Sequence, residues 1–157
     1  MSEPVVRKIR VRCPLGHAFE VFTARLDLWW PKSHRRFERS ALHLEAALGG
    51  RFYERADSGE EVELGQVVRC EPPHRITYTW RPGAVKGPTE VDVRFAADGE
   101  DTWVEVIHAE GQSDLGALWS ERCSLFERAW DHVLPAFVEF AVQSSADADA
   151  GPRQDLE

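Results

Sequence analysis

Two residues combine a versatile hydrogen-bonding side chain with a position that strand alternation turns inward: His108 and Tyr78. Residues 102–108 put Val104, Val106 and His108 on one face, and residues 75–81 put Ile76, Tyr78 and Trp80 on one face. Each reads two ways. His108 is either an imidazole exchanging protons near neutral pH or a core histidine satisfied by a neighbour, the usual state of a buried polar group. Tyr78 either orients a ligand with its hydroxyl or packs in the core with that hydroxyl tied to backbone. The chain also holds six tryptophans against two tyrosines. Trp29, Trp30, Trp80, Trp119 and Trp130 suit an aromatic box for a flat apolar ligand, or plain core. Trp103 has the opposite parity to Val104 and is expected to be partly exposed.

Other constellations are weaker. Lys32, Arg35, Arg36 and Arg39 make a basic island that suits an anionic head group or a solvated connector. Glu60, Glu61 and Glu63 lie at a turn and strand start, with no spacing that makes a catalytic pair. The six histidines never fall at metal-ligand spacing with one another or with a cysteine. There is no HExxH, GxSxG, Walker loop or dinucleotide glycine fingerprint. No metal, cofactor or catalytic residue is therefore assigned. Cys13, Cys70 and Cys123 are odd in number and without a CxxC pair, which reads as reduced structural thiols. A formal charge of −8 argues against nucleic acid as a partner. No signal-peptide pattern and no apolar run of membrane length occurs, so the expectation is a cytoplasmic protein with no membrane partner.

The elements that must position these groups follow from periodicity. Between 116 and 143, Trp119, Cys123, Phe126, Trp130, Val133, Phe137 and Phe140 recur at helical spacing, with Leu134 and Val138 widening the stripe. That predicts one long helix covered over a broad arc, with Pro135 kinking it or relaxing a turn. Residues 5–12 alternate as a first strand. Two short helical pieces follow, one entered through Pro14 and one ending at Pro31. Strands are expected at 41–48, 51–55, 61–70, 75–81, 89–95 and 102–108, with a glycine hairpin at Gly49-Gly50 and a loop at 83–88. The sum is an α+β domain: an antiparallel sheet of about six or seven strands curled around the long helix. A chain of 157 residues supports one such domain, assigned to 1–143, and the small, acidic residues 144–157 read as a disordered tail.

Residues 18–23 (Ala-Phe-Glu-Val-Phe-Thr), Trp29-Trp30-Pro31, Gly65-Gln66-Val67, the run from Glu71 to Trp80, Thr102-x-Val104 leading to His108, and Ala129-Trp130 carry a resemblance. In this order they are similar to homologues of the activator of the heat-shock-protein-90 ATPase, within the SRPBCC/START (helix-grip, birch-pollen-allergen-like) superfamily. The similarity spans roughly residues 5–142 and departs from the family pattern at Gly111, which comes one residue late. The resemblance implies a sheet gripping the last helix with a cavity between them. It also brings three functional expectations. The first is a binding protein for a small, mostly apolar or aromatic molecule, held by Trp29, Trp30, Tyr78, Trp80, Val106, His108, Trp119, Cys123, Phe126 and Trp130. The alternatives are a stress-response co-chaperone that stimulates the heat-shock chaperone, and a polyketide cyclase/aromatase-like enzyme with His108 and Tyr78 exchanging protons. A monomer or a homodimer is expected.

Overall fold

The computed structural model describes residues 3–80, 88–111 and 119–155. The expected loop at 83–88 and the helical residues 116–118 lie almost wholly outside them. In chain order the elements are β1 (Val5–Val11), α1 (Leu15–Thr23), α2 (Leu26–Trp29), a 3-10 turn (Lys32–His34), β2 (Ser40–Leu44), β3 (Arg51–Ala56), β4 (Glu61–Glu71), β5 (Arg75–Trp80), β6 (Thr89–Asp98), β7 (Asp101–Ala109) and α3 (Trp119–Asp155). The seven strands form one antiparallel sheet ordered β1-β7-β6-β5-β4-β3-β2. This is the α+β helix-grip architecture.

Alternation decides which side chains meet α3. In β7 the inward set is Thr102, Val104, Val106 and His108, all buried, while their neighbours are only half-covered. Trp103, on the outer face, is half-buried beneath Lys8 and Arg10, whose charged ends lie 5.1 and 6.0 Å from its ring centroid. Register shifts in β3 at Phe52/Tyr53 and in β4 between Val67 and Arg69 add local twist, which helps the sheet curl. Gly65 sits where a side chain would overlap the carbonyl of Thr79, so strands β4 and β5 approach closely only because it has none. Gly49, at φ 82°, supplies the turn into β3.

α3 buries Trp119, Phe126, Trp130, Val133, Leu134, Phe137 and Ala141 against the sheet and α1, with Cys123 and Phe140 half-buried at the stripe's margins. Its helix runs uninterrupted past the exposed Pro135. Two boundaries differ most from the sequence reading, and β6 also runs on to Asp98. β2 stops at Leu44, and residues 45–50 are a loop entering the Gly49 turn. The long helix continues beyond Gln143 to Asp155. Ala, Ser and Asp in this stretch permit helix once a packed helix is already nucleated, although the apolar stripe that betrayed the helix has ended. Among the described residues no helix is long and apolar enough to cross a membrane.

Candidate functional site: a cavity under the long helix

A cavity of about 110 Å³ lies between the concave face and α3, lined by Trp30, His34, Tyr78, Trp80, His108, Phe126, Ala129, Trp130 and Val133. β5 supplies Tyr78 and Trp80, β7 supplies His108, and successive turns of α3 supply Phe126, Ala129, Trp130 and Val133. Trp30 and His34 come from the segment after α2, which carries the chain across the open side of the sheet. Trp30 meets the rings of Trp80 and Trp130 at centroid distances of 6.3 and 6.4 Å.

Of the residues expected from sequence, Trp30, Tyr78, Trp80, His108, Phe126 and Trp130 are brought together here. Trp29, Val106, Trp119 and Cys123 lie outside the lining. Trp29 packs on Phe22 and Phe137 and donates its Nε1–H to the carbonyl of Val21 at 2.7 Å. Val106 is fully buried core. Trp119 donates to the carbonyl of Glu3 at 2.8 Å, fastening the start of α3 beside β1. Cys123 is half-buried, and burial, with Glu127 and Glu110 nearby, pushes its thiol pKa up.

His108 resolves into a structural relay with every proton accounted for. The indole Nε1–H of Trp130 can only donate, so Nδ1 of His108, 3.2 Å away, accepts. Nε2 therefore carries the proton of the neutral ring and donates to Thr89 Oγ1 at 2.8 Å, while the Thr89 hydroxyl donates to the carbonyl of Trp80 at 2.7 Å. Burial depresses the His108 pKa to about 3, and the ring stacks on Phe126 at 4.2 Å. The imidazole is neutral and occupied at both nitrogens. It shapes the cavity wall, and the proton-exchanging reading would first require this relay to be broken.

Tyr78 is the opposite case. It is fully buried, and its hydroxyl has no hydrogen-bond partner among the described residues. Burial alone raises its pKa far above the ordinary phenol value. The indole N–H groups of Trp30 and Trp130 are turned to internal acceptors, the former to the carbonyl of His34 at 3.2 Å. What remains is an apolar chamber whose wall, among the described residues, holds one unsatisfied donor.

Three polar features were not legible. His34 and His132, nearly a hundred residues apart, stack at 4.9 Å with ring planes 18° apart. Glu54 is buried in β3, where its carboxylate accepts from the backbone N–H groups of Arg36 and Phe37 and from the Ser40 hydroxyl. Its shared parity with Phe52 was the available signal. Arg35, expected in a basic island, is instead a buried staple: its guanidinium donates to the Asp27 carboxylate at 2.7 Å and to the carbonyls of Asp27, Trp30 and Ser40. It is spent on structure and unavailable to an anionic head group. Glu61 and Glu63 pair with Arg51 and Arg55 on the surface. No group of three or more potential metal ligands converges among the described residues.

A curved antiparallel sheet gripping a terminal helix over an apolar chamber defines a ligand-binding domain of the SRPBCC type. The chain belongs to the family described as activator of Hsp90 ATPase homolog 1-like protein, whose profile matches residues 12–140. An anthrahydroquino-γ-pyrone synthase, Txn09, is 34% identical, with 69% of this chain and 77% of that chain covered at a TM-score of 0.53. A protein from Nitrosomonas europaea (16% identical, 92% and 97% covered, TM-score 0.64) shares the fold. So does the Aha1 dimer from Colwellia psychrerythraea (13% identical, 90% and 97% covered, TM-score 0.63). No curated protein matches the chain.

Proposed function

We propose that this protein binds a small, flat, mostly aromatic molecule in the chamber beneath α3, anchored by one oxygen on the Tyr78 hydroxyl. The observation that carries this reading is the orphaned phenol. A buried donor without a partner costs about 1–3 kcal/mol, and a ligand oxygen placed against it recovers that cost. Size supports a single ring inside: an apolar cavity of about 150 Å³ admits benzene, and the present chamber, at about 110 Å³, is open on one side, so a larger ring system would extend through the mouth. Few polar groups fixing orientation within apolar walls is the usual pattern of such sites.

Calorimetric titration with 2-naphthol tests the reading. Binding to the native protein is expected, weakened a few-fold to about tenfold in Tyr78→Phe, the worth of one neutral hydrogen bond. Equal affinity for both proteins, or no binding at all, contradicts it.

A second reading, turnover of a polyketide-like aromatic, draws on the likeness to the synthase. With His108 held neutral and doubly engaged, Tyr78 is the chamber's candidate proton donor in such a reaction. Product formation lost in Tyr78→Phe while binding persists would favour it over simple binding. The co-chaperone reading draws on the family's description alone, and stimulation of the chaperone's ATPase by the purified protein is its test.

A further inference from the structure

The mouth of the chamber has a chemistry of its own. His34 belongs both to the lining and to the stacked pair with His132. The two rings also converge on a single atom. Ser33 Oγ lies 2.9 Å from Nδ1 of His34 and 3.5 Å from Nε2 of His132. A serine hydroxyl has one hydrogen, so it donates to one ring nitrogen and accepts from the other. The neutral pair is therefore self-satisfied, and a second proton on it would have to face the first across a stacked contact.

Among the described residues, no carboxylate pairs with either ring. The 3-10 turn contributes Lys32, Ser33 and His34, with no acid. On α3, Arg128 stands one turn before His132 on the exposed side. The nearby acids of α3, Glu127 and Asp131, both reach Arg7 of β1, at 3.5 and 2.7 Å. Asp27 is held by Arg35. Burial first, and then the charge of His132, lower the His34 pKa. In a chain of net charge −8, the two histidines have Lys32 and Arg128 as near neighbours in sequence, and among the described residues of α3 the nearest acids are the Arg7-paired Glu127 and Asp131, with Glu139 two turns beyond His132.

We propose that the mouth recognises an ionised acid: the bound molecule is an aromatic carboxylate, its ring among the tryptophans and its carboxylate against the His34–His132 pair. The idea rests on the chamber being a binding site and specifies what enters it. An arriving carboxylate supplies the missing counter-charge, so the pair takes up a proton on binding near neutral pH and holds the anion with charge-assisted hydrogen bonds. Affinity for the acid should therefore rise as pH falls from 8 to 6, a range in which an aryl carboxylate stays ionised. Affinity for a neutral analogue should stay flat.

The experiment is calorimetric titration of the full chain with 2-naphthoate and with 2-naphthamide at pH 6 and pH 8. Each titration is run in two buffers of different ionisation enthalpy, so that proton uptake is read directly. The expected result at pH 6 is a preference for the acid of about tenfold, one charge-assisted contact, with proton uptake for the acid only. His132→Asn, a residue outside the chamber lining, should abolish the preference and the uptake while leaving naphthamide binding unchanged. Equal binding of acid and amide without proton uptake overturns the proposal and leaves the chamber reading standing. A preference that survives in His132→Asn overturns it too, since the charge would then lie elsewhere. Binding of neither compound while 2-naphthol still binds overturns this proposal alone; failure of 2-naphthol as well removes the chamber reading with it.

Discussion

Tyr78 and His108 face the same chamber, and their hydrogen-bond partners give them opposite fates. Removing the Tyr78 hydroxyl removes an unsatisfied buried group. Tyr78→Phe should therefore leave the unliganded protein as stable as before, or more stable by up to about 1 kcal/mol. Chemical denaturation checks this; a loss above about 1 kcal/mol would show that the hydroxyl has an internal partner after all. His108 bears on acid stability. Its folded-state pKa, about 3, lies below the ordinary value of 6.5, so the unfolded chain takes the proton first. The stabilisation is complete above pH 6.5 and is lost progressively as pH falls toward 3, a loss on the order of a few kcal/mol. His108→Gln should flatten the acid limb of the stability curve over that window, compared with the native protein at each pH. The inward position of both residues was legible from alternation. Their partners were not, because Thr89 and Trp130 reach His108 through strand register and helix rotation, which period alone leaves open.

Among elements, α3 was the most legible, because a sustained 3.6-residue stripe admits one reading. Its ends were not. The stripe fades after Ala141, the last buried apolar residue among the described side chains of the helix, yet the helix continues to Asp155. The last fixed contact described is that of Ser144, whose Oγ lies 3.0 Å from Nε2 of His17 on α1. Deleting residues 147–157, which lie beyond that contact and are mostly small or polar and without an apolar stripe, should shift the thermal midpoint by less than about 2 °C. A larger fall would show that the terminal turns dock on the domain. The segment from α2 to β2 was the least legible. Its charged residues looked solvated, whereas Asp27, Arg35 and Glu54 are joined across β2 and β3 in hydrogen bonds that pin the connector. That connector carries Trp30 and His34, so its rigidity sets one wall of the chamber. Parity with Phe52 marks Glu54 as inward, but nothing in local pattern says that its carboxylate caps the loop at Arg36 and Phe37.

At the scale of the whole molecule, the sheet order puts β1 at one edge and β2 at the other, with the connector that carries Trp30 and His34 running in beside β2. The space left between β5, β7, that connector and α3 turns part of the core into a chamber. Periodicity showed that large aromatics face one another from both layers; whether they meet is a matter of a few ångströms and lies beyond it. The central claim is occupancy of this space. A crystal structure of the protein grown with 2-naphthol tests it most directly. The account places the ring between Trp30, Trp80 and Trp130, with its oxygen about 2.7 Å from the Tyr78 hydroxyl. The ligand lodged instead in the groove that Arg7, Ile9, Asp131 and Leu134 line between β1 and α3, or the chamber closed by repacked side chains with Tyr78 bonded internally, would contradict it.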